Sequence, residues 1–184
     1  KTAYEITYGD WSSDVCSSDL RQIQATGMQW PFLRPGMLAN SARNWWGPAI
    51  RAGKDVVRWP FADVPTAPIH ERDIAVVTAR TLCEEGHSQK EYVLTGPQAL
   101  THAEQIGIIG EVIGRPLRCE EISPEEARSE LLMPPPVINM LLNAWAAAVG
   151  YPAYMTSTFA EITGTPARTF RAWVSDHAAE FRQQ

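Results

Sequence analysis

The sequence predicts an α/β protein, in which a layer of alternating strands and helices is followed by a smaller, mostly helical part. Short apolar runs bounded by Pro and Gly alternate with longer amphipathic stretches up to about residue 121, and helical patterns dominate after it. The chain has 184 residues, of which 45% are hydrophobic, and this is enough for one domain with a substantial core.

The extended segments are short, and each is bounded by turn-forming residues. They are predicted over residues 29–34, 56–57, 68–70, 91–94 and 117–121. The first of these ends at Pro35-Gly36, a pair that favours a sharp turn directly after a buried strand. Residues 60–68 are predicted to form a loop.

Helices are predicted where apolar residues recur at a helical spacing between capping residues. Their ranges are 40–52, 72–84, 101–113, a helix that follows Ser123, 137–149 and 170–181. Thr101 with Glu104 and Ser123 with Glu126 form capping boxes, in which the two side chains bond each other's main-chain N–H groups. The helix over 137–149 is apolar nearly all round, which suits a buried helix or a contact with another chain.

The first twenty residues differ from the remainder of the chain. They contain a near-repeat, SSDV and SSDL, and show neither a strand period nor a sustained helical period. They resemble translated sequencing-adapter read-through, so we expect residues 1–20 to be non-native and the natural protein to begin upstream of Arg21. The alternative is a genuine polar arm. This segment carries −3 of the formal net charge of −5, so the acidic balance says little about partners.

Charge and cysteine content exclude several classes of protein. No basic run is present, so no nucleic-acid partner is expected. The longest strongly apolar stretch is shorter than the roughly 18 residues that a membrane helix requires, and no signal peptide is visible, so no membrane partner is expected. Cys16, Cys83 and Cys119 form neither a disulfide framework nor a zinc spacing, which is typical of a reduced, cytoplasmic protein.

Motifs that would identify a reaction are absent. The sequence has no phosphate-binding loop of the NTPase kind, no GxSxG nucleophile motif and no Tyr followed four residues later by Lys. Gly107, Gly110 and Gly114 approach a dinucleotide-binding spacing, but they fall inside a predicted helix instead of the turn after a strand. We therefore interpret Gly110 as a helix-packing position and Gly114 as a helix C-cap. Cys83 and His87 are interpreted as a helix end and its loop.

The stretch PFLRPGMLAN, residues 31–40, is the most informative candidate for a ligand site. A strand that ends in Pro-Gly brings backbone close to the carboxyl edge of the sheet, where open α/β sheets bind their ligands. Met37 would then present a soft apolar side chain to the ligand. The alternative is a plain strand-turn-helix with Asn40 or Ser41 as the helix cap.

Tryptophans cluster just after this stretch. Trp45, Trp46 and Trp59 are close in sequence, and Trp145 lies on the apolar helix. Aromatic side chains that flank a crevice suit a flat apolar substrate. The alternative is that the tryptophans belong to the core or to a dimer contact.

Four segments together resemble the NmrA-like proteins, which are atypical members of the short-chain dehydrogenase/reductase superfamily. The matching segments are GMQWPFLRPGMLAN, PIHERDIAVVTARTL, KEYVLTGPQALTHAEQIGIIGEVIGRPLRCEEISPEEAR and TGTPARTFRAWVSDHAAEF. Their order and spacing are also similar. The resemblance implies the C-terminal part of a Rossmann-like parallel sheet with a smaller, mostly helical substrate-side subdomain. The Rossmann part would cover residues 21–97 and the subdomain residues 98–184.

The resemblance also implies site residues. Pro35, Gly36 and Met37 would run past the nicotinamide end of NADP or NAD, and Asn40 matches a recurring Asn of the motif. Met37, Trp45, Trp46 and Trp145 would form the wall of the acceptor site. Asp73 matches the Asp that opens the returning helix, where a carboxylate is favourable, and we interpret it as structural.

The function implied is an NAD(P)H-dependent oxidoreductase that transfers hydride to a small apolar or quinone-like acceptor. The glycine-rich loop of the family, the basic residue that selects NADP and the segment for a catalytic Tyr and Lys are not in this sequence. No catalytic residue is therefore assigned, and the chain is expected to be truncated and inactive. The alternatives are a non-catalytic NAD(P)-sensing protein that acts through a protein partner, and a homodimer contact on the helix over 137–149.

Overall fold

The computed structural model describes residues 14–182, with side chains from residue 20 onward. The strands are β1 (Pro31–Pro35), β2 (Val56–Trp59), β3 (Pro65–Thr66), β4 (Lys90–Leu94), β5 (Leu100–Thr101) and β6 (Arg118–Glu121). The helices are α1 (Asp14–Ala25), α2 (Ser41–Trp45), α3 (Gly47–Arg51), α4 (Glu71–Cys83), α5 (His102–Ile113), α6 (Pro124–Glu130), α7 (Pro135–Ala148), α8 (Thr158–Thr163) and α9 (Phe170–Asp176), followed by a 3-10 turn over Ala178–Phe181.

The strands form three pairs, two of which are parallel. β1 pairs with β4 in a register that joins Pro31 to Lys90 and Pro35 to Leu94. β2 pairs in parallel with β6, and β3 pairs antiparallel with β5. The fold is thus α/β with parallel strands, as predicted. The expected strand over 68–70 is instead a single bridge between Leu38 and Ile69.

Capping explains where several helices begin and end. Both predicted capping boxes are present, at the starts of α5 and α6. Gly114 ends α5 with a left-handed φ of 75°, and a Cβ on Gly110 would lie 2.5 Å from the carbonyl oxygen of Arg115. These glycines therefore serve helix ending and close packing, as predicted, and not a dinucleotide turn.

One predicted helix is divided in two. The sequence pattern favours a single helix over 40–52, whereas the structure has α2 and α3 with a break at Trp46. Pro48 lies in the first turn of α3, where its missing N–H is tolerated, but inside a longer helix it would remove a hydrogen bond. The structure therefore restarts the helix instead of continuing it.

The junction at residue 20 lies inside a helix. α1 begins at Asp14, within the segment expected to be non-native, and continues to Ala25. The helix was not predicted, although Leu, Arg, Gln and Ala in its second half are good helix formers. The first thirteen residues of that segment lie outside the described residues.

The core has two parts. The larger packs side chains of α2, α3, β2, α5, α7 and α9 around Trp46, Trp59 and Trp173, all of which are fully buried. It takes residues from both sides of the boundary expected after residue 97. A smaller cluster of Ile69, Val77, Leu94 and Phe159 lies beside the β1–β4 pair. In the part of the chain that the structure describes, no helix has the length and apolar character needed to cross a membrane.

Candidate functional site

The carboxyl end of β1 is held in place by main-chain hydrogen bonds to two neighbouring segments. The Gly36 N–H donates to the Leu94 carbonyl oxygen (2.9 Å), at the end of the adjacent strand β4. The Met37 carbonyl oxygen accepts from Ile69 N–H (2.8 Å), and Ala39 N–H donates to the Ile69 carbonyl oxygen (2.9 Å). The backbone of residues 36–39 is therefore fixed at the carboxyl edge of the strands, which is where open α/β sheets bind ligands.

A cavity of about 410 Å³ lies at this edge. It is bounded by the end of β1, by β3, by helix α7 and by the connection between α7 and α8. The residues that line it are Pro35, Gly36, Met37, Leu38, Ser41, Trp45, Val64, Pro65, Thr66, Ala67, Val137, Met140, Leu141, Ala144, Trp145, Ala148, Pro152, Ala153 and Tyr154. None of these described residues carries a charged side chain. The cavity is in the size range of small-molecule sites.

Three of the four residues assigned to the cofactor lie together at this cavity. Pro35, Gly36 and Met37 are part of its wall, and Met37 is also one of the residues assigned to the acceptor. Asn40 does not line it. Asn40 precedes α2 in a helical conformation, and its side chain makes no capping hydrogen bond. Asn40 therefore occupies the N-cap position of α2, as the alternative interpretation expected, but its side chain does not cap the helix.

The tryptophans divide between the cavity and the core. Trp45 and Trp145 both line the cavity, with ring centroids 5.6 Å apart and planes at 86°. Trp46, also expected in the acceptor wall, is instead fully buried and packs at right angles on Trp59 (5.7 Å). Trp46 lies at the break between α2 and α3 and turns into the core, although its ring centroid is still 6.3 Å from that of Trp45. The core interpretation holds for Trp46 and Trp59.

His102 packs against Trp145, a residue of the cavity wall, and no sequence pattern pointed to it. Its ring is fully buried, its centroid lies 5.0 Å from that of Trp145, and Nδ1 lies 3.0 Å from the Phe61 carbonyl oxygen. Burial lowers the pKa of His102 to about 4, so the ring is neutral at neutral pH. A histidine at the first position of a helix carries no sequence signal for such a role.

Two segments of the cavity wall were also missed. Residues 64–67 were predicted only as loop, and the segment 152–154 has no pattern that predicts a structure. Thr156 fixes the second segment: its N–H donates to Thr95 Oγ1 (3.0 Å) and its hydroxyl donates to the Val93 carbonyl oxygen (2.9 Å). The segment is thereby held beside the end of β4, through contacts that span about sixty positions of the sequence.

Asp73 is structural, as expected. Its carboxylate is fully buried in the first turn of α4 and accepts hydrogen bonds from the main-chain N–H of Arg168 (2.7 Å) and from the Arg168 guanidinium. It therefore joins α4 to the segment before α9. Cys83 is exposed at the end of the same helix. Within the described part of the chain, no group of three or more His, Cys, Asp or Glu side chains could hold a metal ion.

Proteins with similar sequences are reductases. The chain is 38% identical over 162 residues to (4-alkanoyl-5-oxo-2,5-dihydrofuran-3-yl)methyl phosphate reductase of Streptomyces griseus, covering 86% of this chain and 57% of that protein. It is 34% identical over 180 residues to the NAD(P)H azoreductase of Xenophilus azovorans, covering 96% of this chain and 61% of that protein. The chain thus spans about three fifths of the length of these relatives. No protein-family model matches it.

Solved structures share the fold. The triphenylmethane reductase of Citrobacter sp. superimposes with a TM-score of 0.74 at 20% identity, over 94% of this chain and 62% of that one. An NADPH-dependent quinone oxidoreductase of Escherichia coli superimposes with a TM-score of 0.73 at 22% identity, over 89% of this chain and 60% of that one. The chain has the Rossmann-like fold of these reductases over the part that it spans.

Proposed function

We propose that this chain is the C-terminal part of an NmrA-like NAD(P)H-dependent oxidoreductase that reduces a small, uncharged, apolar or quinone-like acceptor. The observation that carries the proposal is the uncharged cavity at the carboxyl end of β1, between Gly36–Met37 and helix α7. The reductases among its relatives support the reaction class. The chain's share of their length supports a longer parent protein.

The residues present suit one end of the cofactor. Gly36 has no side chain and Pro35 has no N–H, so the backbone at the end of β1 can lie directly against a flat nicotinamide ring. The glycines of α5 are in a helix and cannot form a diphosphate cradle. Pro35, Gly36 and Met37 would thus hold the nicotinamide end, while the diphosphate and adenosine would need groups other than the residues that the structure describes. When bound, the dihydronicotinamide supplies a hydride.

The cavity wall favours a neutral acceptor. A charged group buried against apolar side chains with no counter-charge loses its hydration, at a cost of several kcal/mol. The lining residues offer no such counter-charge, since none is Lys, Arg, Asp or Glu. We therefore propose an uncharged acceptor for this chain and not a phosphate ester such as the one named for the Streptomyces relative.

The roles of the chain's own residues are to bind, orient and exclude water. The rings of Trp45 and Trp145 meet nearly at a right angle, so a planar acceptor can stack on one ring and contact the edge of the other. Met37 and Met140 add adaptable apolar contacts. No residue of this chain is assigned to proton transfer.

The test begins with the source DNA, sequenced across the codon for Arg21 to recover the parent gene. We expect its product to oxidise NADPH when menadione, a neutral naphthoquinone, is added, and to do so slowly or not at all with an anionic phosphate ester. If the product binds NADPH but does not oxidise it with any neutral acceptor that is tried, the proposal is contradicted.

Binding of NADPH without its oxidation would favour a cofactor-sensing regulator. The observation in its favour is that the apolar side chains of Val137 and Met140 on α7, which line the cavity, are each 39% exposed. For a regulator, NADPH should change the affinity for a protein partner without being consumed. For an enzyme, NADPH consumption should depend on the acceptor.

A further inference from the structure

The 3-10 turn over Ala178–Phe181 is bound to the two short helices that follow the end of β1. The Arg43 guanidinium of α2 donates to Glu180 Oε2 (3.0 Å), and the Arg51 guanidinium of α3 donates to the main-chain carbonyl oxygen of Glu180 (2.8 Å). Phe181, the next residue, is fully buried in the larger part of the core. The turn is therefore fixed against α2 and α3, although it is distant from both in sequence.

Glu180 is also connected to the start of α4. Its Oε1 lies 2.9 Å from His177 Nδ1, and His177 Nε2 lies 2.8 Å from Glu71 Oε1. Glu71 comes two residues after Ile69, whose N–H donates to the Met37 carbonyl oxygen at the end of β1. One carboxylate is thus connected both to α2 and to the segment that holds the end of β1 in place.

Helix α2 contacts this turn with one residue and the cavity with another. It has five residues and no side-chain cap, and a helix this short depends on tertiary contacts for its position. Arg43 and Trp45 are two positions apart, so their side chains do not share a face of the helix. Arg43 bonds Glu180, whereas Trp45 lines the cavity. A shift of α2 away from the turn would therefore move Trp45 relative to Met37.

We propose that Glu180 is a positioning residue, which through Arg43 holds Trp45 in place relative to Met37 and so orients the acceptor against the cofactor. This inference rests on the proposed function. Glu180 is not among the described residues that line the cavity, so it acts through α2 and not by contact with the acceptor. Removal of Glu180 leaves the main-chain hydrogen bonds of residues 36–39 intact, because their partners are other main-chain groups. The acceptor should therefore be affected and the cofactor should not.

The experiment follows NADPH oxidation with menadione by the parent protein, since the chain as given is expected to aggregate. We expect Glu180→Ala to lower kcat/KM for menadione about fivefold, the effect of losing one partly exposed ion pair, and to leave the Kd of NADPH unchanged. Arg43→Ala should have the same effect. The double variant should be no worse than either single variant, because the two side chains act as one pair.

Glu111→Ala is the matched control. It removes a carboxylate that is bonded to Arg171, in an exposed ion pair between α5 and α9 that does not involve α2. Both constants should stay at their wild-type values in this variant. If Glu180→Ala does not fold, Arg43→Ala tests the same pair.

Three outcomes would overturn the positioning role of Glu180. They are an unchanged kcat/KM for menadione, equal losses for menadione and NADPH, and single losses that multiply in the double variant. A parent protein that binds NADPH but does not oxidise it with any neutral acceptor would overturn the proposed function and this inference with it.

Discussion

Gly96 is a position in the described part of the chain at which a single added methyl group should strongly destabilise the fold. A Cβ at this position would lie 2.0 Å from the Pro68 carbonyl oxygen, a backbone atom that cannot move aside easily. Gly96 N–H also donates to the Ala67 carbonyl oxygen (3.0 Å), so the two backbone segments are held together. This contact joins the end of β4 to residues 67–68, beside the cavity.

We expect Gly96→Ala to lower the free energy of unfolding by about 2 kcal/mol or more, because the overlap forces a backbone shift. The measurement is a urea unfolding curve of the parent protein that carries this segment, because the chain as given is expected to aggregate. Gly107→Ala is the matched control: Gly107 lies inside α5 with nothing within 4 Å of its Cβ position, so alanine should be neutral or stabilising by up to about 1 kcal/mol. Equal unfolding midpoints for the two variants would contradict the prediction.

His177 illustrates how a single ring can join elements that are distant in sequence. Its Nδ1 lies 2.9 Å from Glu180 Oε1, and its Nε2 lies 2.8 Å from Glu71 Oε1 at the start of α4. The hydrogen bond from His177, aided by Arg43, lowers the pKa of Glu180 below its ordinary value. Burial acts to raise the pKa of Glu71, but its main-chain hydrogen bond and the neighbouring His70 and His177 outweigh burial, so that pKa is also lowered.

These two carboxylates should make stability fall in acid. A carboxyl group whose pKa is lower in the folded state stabilises the fold above its ordinary pKa of 4.5, and this contribution is lost as the pH falls through the folded value. We expect the melting temperature to decline below about pH 5 and Glu180→Gln to decline less steeply. Parallel declines for the variant and the wild type would refute a contribution from Glu180.

Among the secondary-structure elements, helix α7 contributes the most residues to the cavity wall. Ile138, Leu141, Leu142 and Trp145 are buried on one side of the helix, while Val137 and Met140 are partly exposed. Ala144 and Ala148 are small, and they contribute to the cavity wall one turn apart. The helix thus forms both a core contact and the wall of a cavity, which explains why its sequence is apolar nearly all round.

We expect Ala144→Glu to weaken menadione binding at least about tenfold, since it fills part of the cavity and places an unpaired carboxylate against apolar side chains. Ala147→Glu is the matched control, because Ala147 is exposed on the same helix and does not line the cavity. Both variants are made in the parent protein and measured by tryptophan quenching, because the chain as given is expected to aggregate. Retained binding in Ala144→Glu would show that the acceptor lies elsewhere.

For the whole molecule, the β1–β4 pair raises a question of stability. Within the described residues, β1 is paired only with β4, and a parallel strand is normally covered on both faces and bonded on both edges. The unpaired edge is a template for association with other chains. We therefore expect the chain as given to be marginally stable, to aggregate, and to bind NADPH weakly or not at all. Light scattering and thermal melts test this, and a monomeric two-state melt with micromolar NADPH affinity would contradict it.

Much of the local structure could be predicted because its causes lie within a few residues. The capping boxes of α5 and α6 and the C-cap at Gly114 each depend on neighbours in the chain. The sharp turn predicted at Pro35-Gly36 is not formed there, because β1 continues through Pro35 and Gly36 N–H still bonds Leu94 on β4. The chain turns at residues 39–40 instead. The division of the helix over 40–52 was missed because the apolar pattern continues through Pro48, while the hydrogen bonding does not. Local pattern is therefore a sound guide to where elements lie and a weaker one to where they break.

The sequence by itself determined the α/β class, the order of most elements and the strand that ends at Pro35. Only the tertiary structure decided which residues form the cavity, because its wall joins Met37, Trp45 and Trp145 with Tyr154 from segments far apart in the chain. Adjacent tryptophans show the difference most clearly. Trp45 and Trp46 are indistinguishable by composition and pattern, yet the packing of α2 against β2 and α7 places the first at the cavity and the second in the core. Burial is a property of the packed neighbours of a side chain, and a sequence pattern carries no direct record of those neighbours.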